Sequence, residues 1–234
     1  MSNPSPRRRG PRRRLDLDRV VKAAMARLDA EGVGALSVRS TAAALGVHPN
    51  ALYTYVEDRA ALERAIVEDL LGRADVSQID GSAAQWRERI VRFATALRLA
   101  LLHHPAAASL FMTAPMNGPN ALAVGEGMLV ALEDGGLAAD AAAQGAYVLI
   151  VFVLGSVALE VAETDGRPPL QPEEVRIEER LTALGGVDST AFPRTAETAT
   201  VAAGWISSAQ FAWGLDRILD GLASTSPIGA KTGA

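Results

Sequence analysis

The 234-residue chain contains no cysteine. That absence removes disulfide cross-links, thiolate metal sites and cysteine nucleophiles together, and it fits a reducing compartment. Histidine is nearly as scarce, with three residues. Two of them, His103 and His104, are adjacent, and neighbours on a helix point about 100° apart, so the pair cannot grip one ion from a helix. A helix-end or pocket role for His104 therefore stands ahead of catalysis, and no metal site or cofactor is expected. Aromatic residues make up 5% of the chain and β-branched runs are few, which withholds the side chains that strands draw on. No Gly-rich phosphate loop, nucleophile elbow or paired-carboxylate motif stands out, so an enzyme is the weaker reading. The Arg-rich start runs straight into an amphipathic segment without an apolar signal-peptide core, and the expected location is the cytoplasm, on the nucleoid.

Hydrophobic residues, by contrast, are plentiful at 49%, enough to bury a large core. With Ala dominant, the fold class expected is all-α. The stretch Ala141 to Leu159 carries no charge and has about the length of a membrane span. Its Ala and Gly content, Gln144, and the acids Asp140, Glu160 and Glu163 at its ends, with no basic or aromatic anchors, favour a buried core or interface helix in a protein without a membrane partner. A membrane-associated helical protein stays open as the rival. Charge is uneven along the chain. Residues 1 to 64 hold 12 basic and 7 acidic residues, a net +5, whereas the remainder holds 11 basic and 20 acidic, a net −9. A basic front on an acidic body suggests that only the front meets a polyanion.

Six arginines between Arg7 and Arg14 form a self-repelling tail (1–14), either a solvated end or a source of phosphate and minor-groove contacts. Helical periodicity begins at Leu17, with Val20, Val21, Ala24, Met25 and Leu28 on one face, and stops at Gly32 and Gly34. Ser37 is placed to cap a short helix, Val38 to Leu45, closed by Gly46. Pro49 suits the first turn of a third helix, Pro49 to Val56, with Leu52 and Val56 inward. Asp58 caps a fourth, with Leu62, Ile66, Val67, Leu70 and Leu71 inward and an end near Gly72. A long helix follows from Trp86 to just before His104-Pro105, then short pieces at 106–113 and 119–132 and a break at Gly135-Gly136. Asp140 is expected to cap the long apolar helix. The Pro-, Gly- and Glu-rich text from 164 to 194 predicts a surface excursion holding one helix, Glu173 to Leu184. A single final helix is expected over Thr195 to Leu222, with a frayed tail at 223–234.

The informative stretch is Leu36 to Leu62. A short helix, a Gly-containing bend and a second short helix are the ingredients of a helix-turn-helix, whose first helix braces while the second enters the major groove. With Val38, Ala42, Leu45, Val47, Leu52 and Val56 inward, Arg39, Asn50, Ala51, Tyr53, Thr54 and Tyr55 are left for the opposite surface. Asn can pair with adenine, an Ala or Thr methyl can meet a thymine methyl, and Tyr hydroxyls can hold phosphates. The bland alternative is a helical hairpin with a solvated face.

The run Leu45-Gly46-Val47-His48-Pro49-Asn50-Ala51-Leu52-Tyr53-Thr54-Tyr55-Val56 resembles the signature of the tetracycline repressor (TetR) family of bacterial regulators: a Gly-Val turn, then a recognition helix with Leu-Tyr and an aromatic or His two residues on. The resemblance implies an N-terminal three-helix DNA-binding domain (15–62) and a larger helical ligand-binding and dimerisation domain (63–222). It puts Val38 and Arg39 at the start of the bracing helix against DNA, Pro49, Asn50, Ala51, Tyr53, Thr54 and Tyr55 on the recognition helix, and Arg59 in the place of the family's phosphate-contacting Lys. His48 departs from the usual Ser-like cap, and Glu57-Asp58 sets two acids beside the phosphate-facing turn. Trp86, Leu101-Leu102-His103-His104 and Phe152-Val153-Leu154-Gly155 look similar to the tetracycline repressors proper. The family arrangement implies a four-helix homodimer interface from the helices 140–161 and 195–222, with Gly155, Ala158, Ser208, Ala209 and Ala212 allowing close approach and Trp205 and Phe211 supplying apolar area. The positions that hold the drug's metal and polar groups fall on Phe93, Phe111 and Leu159, which offer no atoms to Mg²⁺ and argue against a tetracycline–Mg²⁺ inducer. The implied pocket, with Phe93, Leu97, His104, Phe111, Met112, Met116, Met128, Tyr147 and Val151, suits a hydrophobic or aromatic small molecule. The expected function is a ligand-released repressor that binds a near-palindromic double-stranded operator as a homodimer.

Overall fold

The computed structural model describes residues 15–74, 79, 81, 85–164 and 169–224; the Arg-rich tail and most of the C-terminal tail lie outside them. Among the described residues the elements are all helical: α1 (Leu17–Glu31), α2 (Val38–Leu45), α3 (Arg59–Arg73), α4 (Trp86–His103), α5 (Leu110–Thr113), α6 (Pro119–Asp134), α7 (Ala139–Val161), α8 (Glu173–Leu184), α9 (Pro193–Glu197), α10 (Ala199–Ala203) and α11 (Ser208–Ser224).

Local chemistry sets the first helices. Asp16 accepts the Arg19 N–H at 2.9 Å and caps α1, and the backbone at Gly32 (φ 79°) ends it. Ser37 and Ser40 form a reciprocal capping box on α2, which Gly46 closes in the left-handed region with its N–H returned to the Ala42 and Ala43 carbonyls. Asp58 accepts the Ala61 N–H at 2.7 Å and starts α3. These short helices bury Val20, Ala24, Leu28, Leu36, Ala42, Leu52, Leu62 and Ile66 together.

The larger part stacks α4 against α3, α6 and α7, with α11 on α7 and α8 beside α10. Its core is continuous with that of the N-terminal helices, because α3 contributes Leu62 and Ile66 at one end and Leu70 and Leu71 at the other. A further tie is polar. His104 Nδ1 lies 2.8 Å from Asp29 Oδ2 of α1, and Arg73 of α3 approaches its Nε2 at 3.4 Å.

Several boundaries differ from the pattern in the sequence. Asp140 does not cap α7; Ala138 occupies that position and Asp140 sits in the first turn, where its charge still favours the helix dipole. The expected single helix over 195–222 is three pieces. Gly204 ends α10, and Ser207 then turns back, donating its hydroxyl to the Gly204 carbonyl (2.6 Å) and accepting the Gln210 N–H (3.1 Å) to start α11. Arg180 of α8 holds the break open by donating to the carbonyls of Ala203 (2.7 Å) and Ile206 (2.9 Å).

Charged groups are buried in the body. Arg98 of α4 makes a bidentate pair with Glu160 of α7 (closest 2.8 Å), and Arg176 of α8 reaches the same carboxylate at 2.9 Å and Glu163 at 2.8 Å. Arg98 also donates to Ser208 Oγ at 3.2 Å and lies over the Phe211 ring. One carboxylate thus sits between two guanidiniums and locks α4, α7, α8 and α11 to one another. On the outside, Arg87 of α4 bridges Asp216 (2.8 Å) and Asp220 (2.7 Å) of α11. The Arg217 guanidinium, followed by Arg87, holds the Asp216 carboxyl below the usual carboxylate range. Its contribution to stability is therefore present above the unfolded carboxylate pKa and is lost as pH falls through the lower folded value. Removing the central buried anion strands two buried cations, so Glu160→Ala is expected to cost about 3–5 kcal/mol in urea denaturation, while Glu163→Ala, at a more exposed pair, costs about 1 kcal/mol or less.

Candidate nucleic-acid interface and apolar cavity

The segment after Gly46 is a built projection rather than a long helix. His48 Nδ1 accepts the Asn50 N–H at 3.2 Å and so supplies the cap that the departure from Ser put in question. Pro49 opens a 3₁₀ turn, Pro49–Ala51, closed by Ala51 N–H to the His48 carbonyl and Leu52 N–H to the Pro49 carbonyl, both at 2.9 Å. Turns then run to Tyr55. The expected helix Pro49–Val56 is thus replaced by a tighter coil. The segment is short, and Tyr53, Thr54, Tyr55 and Val56 are aromatic or β-branched and lose side-chain freedom in an α-helix.

On this projection Leu52 and Val56 are buried, and Asn50, Ala51, Tyr53 and Thr54 are exposed, together with Arg39 of α2; Pro49 is half-buried. Three expected contact residues are otherwise engaged. Val38 is buried beneath α2, because its side chain completes the packing between α1 and α2, and it cannot reach a base edge. Tyr55 is exposed on one side but donates its hydroxyl to the Leu15 carbonyl at 2.7 Å, bracing the entry to α1. Arg59 donates to the Val33 carbonyl at 3.1 Å and pairs with Glu63 at 2.7 Å, which turns it toward the protein.

Within the body an apolar cavity of about 220 Å³ lies between α4, α6 and α7. Of the expected lining residues, Phe93, Leu97, Met116, Met128 and Tyr147 bound it, joined by Ala121, Val124 and Val153, which were not singled out in the sequence. Tyr147, itself largely exposed, is the one residue of the lining with a polar side-chain group, and no charged residue borders the space. Four expected lining residues lie elsewhere. Phe111 is packed in the core at α5. Met112 is exposed and borders an open groove of about 440 Å³ beside Val33 and Ala158. Val151 points into a third hollow of about 340 Å³ between α7 and α11. His104 is drawn out of the body by Asp29 and Arg73. Periodicity could not separate these residues, because consecutive turns of one apolar helix face different neighbours. Among the described residues no His, Asp and Glu cluster could hold a metal ion.

The outer face of α7 and α11 is unusually apolar. Gly155, Ala158, Ser208, Ala209 and Ala212 are all exposed there, and Trp205 lies in the break before α11. Tyr147, Leu159, Trp205 and Trp213 are each more than half exposed, and a Cβ on Gly155 would meet nothing within 4 Å. Phe211 does not belong to this face. It is buried, stacked on Phe152 at 5.4 Å between ring centroids. α7 is long and apolar enough to cross a membrane, yet only 28% of its most apolar window is buried within the chain.

Comparison with known proteins matches residues 80–226 to the family model for the tetracyclin repressor-like C-terminal domain. An HTH-type transcriptional regulator of Saccharopolyspora erythraea is 38% identical over 62% of this chain, which spans 61% of that relative's length. A class E tetracycline repressor protein of Escherichia coli is 29% identical over 73% of this chain and 84% of its own. Among solved structures, Streptomyces coelicolor ActR in complex with actinorhodin superposes with a TM-score of 0.76 at 27% identity, covering 92% of this chain and 99% of that one. If the Tyr55 hydroxyl is a brace, Tyr55→Phe lowers stability by about 0.5–1 kcal/mol in urea titration and leaves DNA affinity within about twofold.

Proposed function

The chain belongs to the tetracycline repressor (TetR) family, and from that premise we propose that it is a ligand-released transcriptional repressor acting in the cytoplasm as a homodimer on near-palindromic double-stranded operator DNA. The observation that carries this reading is the exposed strip Arg39, Asn50, Ala51, Tyr53 and Thr54, held on a capped, Gly-closed projection whose inner side chains Leu52 and Val56 are fully packed. Fixed backbone with exposed donors, acceptors and methyl groups is what base-edge readout requires. The two halves are a DNA-reading unit (15–62) and an effector and dimerisation unit (63–222). The relatives named above are regulators rather than enzymes, and a binding role without catalysis is the matching reading here.

A second copy supplies the cover for the α7 and α11 face. Small residues at Gly155, Ala158, Ala209 and Ala212 permit close helix approach, and the exposed tryptophans supply apolar area. That pairing accounts for an apolar α7 without a membrane, and a twofold sets two projections about 34 Å apart, one DNA turn. The effector is an uncharged hydrophobic or aromatic molecule. The lining is apolar but for Tyr147 and holds no charged residue, and the cavity's size, below the usual range of about 300–1,000 Å³, favours a compact ligand or a pocket that widens on binding. ActR was solved with actinorhodin, which fits a small-molecule effector here.

Fluorescence anisotropy with DNA from upstream of the gene tests the interface: Tyr53→Ala and Arg39→Ala are each expected to weaken binding by about 10- to 100-fold, with melting temperature and dimer mass unchanged. Equal loss of folding would reassign both residues to packing. Sedimentation tests the pairing: Trp213→Glu together with Ala209→Glu is expected to yield monomers, and an unchanged dimer would place the twofold elsewhere.

A further inference from the structure

The folded part of the DNA-reading unit has no positive charge to spare. Residues 15–64 hold six basic and seven acidic residues, a net −1, so the whole positive excess of the chain's front comes from the six arginines of the run 7–14. Several cations of the folded part are also committed locally. Lys22 pairs with Asp18 (2.8 Å), Arg27 with Glu31 (2.6 Å) and Arg59 with Glu63 (2.7 Å). Glu57 and Asp58 stand exposed directly after the projection, while Arg39 is an exposed cation on the reading face. Duplex DNA presents one negative charge per about 1.7 Å of its axis, and affinity for it rests on basic side chains that neutralise phosphates and release counterions. A head of this balance can read base edges but offers little to hold the backbone.

The structure fixes where the arginine run joins this surface. Leu15, the residue after Arg14, is packed against the core, and its carbonyl accepts the Tyr55 hydroxyl at 2.7 Å. Tyr55 ends the projection that carries Asn50, Tyr53 and Thr54, so the run departs from the DNA-reading side of the head rather than from the body. Eight residues reach at most about 28 Å, less than one turn of duplex at about 34 Å. We propose that the six arginines between Arg7 and Arg14 are a second DNA-contacting element: they grip phosphates flanking the major-groove site of their own protomer and supply most of the electrostatic affinity, leaving sequence choice to the projection. This rests on the operator reading above and divides its work between two parts of the chain. The body, net −9 over residues 65–234, is the competing anion. Its charges are dispersed, and several are taken by Arg87, Arg98 and Arg176, whereas duplex charge is dense and continuous within reach of the run.

Fluorescence anisotropy over a salt series tests the contact, with DNA from upstream of the gene and a shuffled duplex of the same length and composition. R7Q, R8Q, R9Q, R12Q, R13Q and R14Q together remove the charge ahead of α1, and melting temperature is the control for folding. The slope of log affinity against log salt is expected to shrink by at least about 4 for the dimer, and affinity at about 0.15 M salt to fall at least about 100-fold on both duplexes alike. Preference for upstream over shuffled DNA stays within about threefold of the unaltered chain, whereas Tyr53→Ala erodes it. R7K, R8K, R9K, R12K, R13K and R14K together keep the charge and retain affinity within about threefold. A glutamine variant with an unchanged slope makes the run a solvated end and overturns the proposal. One that binds DNA more tightly assigns the run to the acidic body and overturns it as well. A lysine variant as weak as the glutamine one points to guanidinium-specific reading of the minor groove and overturns the phosphate contact. An unaltered chain with no preference for upstream DNA overturns the operator reading separately, because the slope difference is measured on both duplexes.

Discussion

The constraint on which the rest of the molecule depends is that α3 is packed into two places at once. Leu62 and Ile66 complete the small core beneath the projection, and Leu70 and Leu71, four and five residues beyond Ile66, are buried with the body. A helix of 15 residues is short enough to move as a rigid unit. Interiors packed at crystal-like density transmit displacement rather than absorbing it. The reading head therefore cannot be oriented independently of the body. Its projecting segment, by contrast, owes its shape to local bonds: His48 and Gly46 fix the turn, and Leu52 and Val56 anchor it from below. Local bonds thus set the surface offered to DNA, and long-range packing sets where it stands.

The body resolves two opposed demands. Its inner surface holds a cavity lined almost wholly by apolar side chains, and its outer surface on α7 and α11 is apolar enough to need a cover. Between them runs the buried Arg98–Glu160–Arg176 arrangement. Replacing such a group with apolar residues is often neutral for stability, so its value lies in specificity: a carboxylate shared by two guanidiniums admits one register of α4, α7 and α8. Fixing that register holds the exposed apolar face of α7 in one position relative to α4 and α8.

Most of the fold was legible in the sequence because local signals agreed with one another. Ser37, Gly46, Asp58 and the apolar spacing of α1 and α3 each marked a boundary with its own chemistry, and the helix Glu173–Leu184 was bounded correctly by its Pro and Gly neighbours. The errors fall where tertiary contacts override local preference. Gly204 and Ser207 break the last helix only because Arg180 is present to take the freed carbonyls. His104 and Arg59 read as pocket and phosphate contacts, and both were claimed instead by partners more than 25 positions away, Asp29 and Val33. Glu68, bonded to the start of α6, and Arg98 gave no signal at all and Glu160 read only as a charged end of the apolar helix, since a charged residue in a helical pattern reads as solvated unless its partner is known. The candidate DNA surface was legible as a face; which members of it are free to bind was not.

The central claim is that the projections of two copies read one duplex and let go when the cavity fills. Hydroxyl-radical footprinting of DNA upstream of the gene tests it most directly. The account predicts two protected patches about one helical turn, or 34 Å, apart on the same face of the duplex, both disappearing as an uncharged aromatic ligand saturates the protein. A single patch, protection spread evenly along the DNA, or a paired footprint unchanged by a ligand shown to occupy the cavity would contradict it.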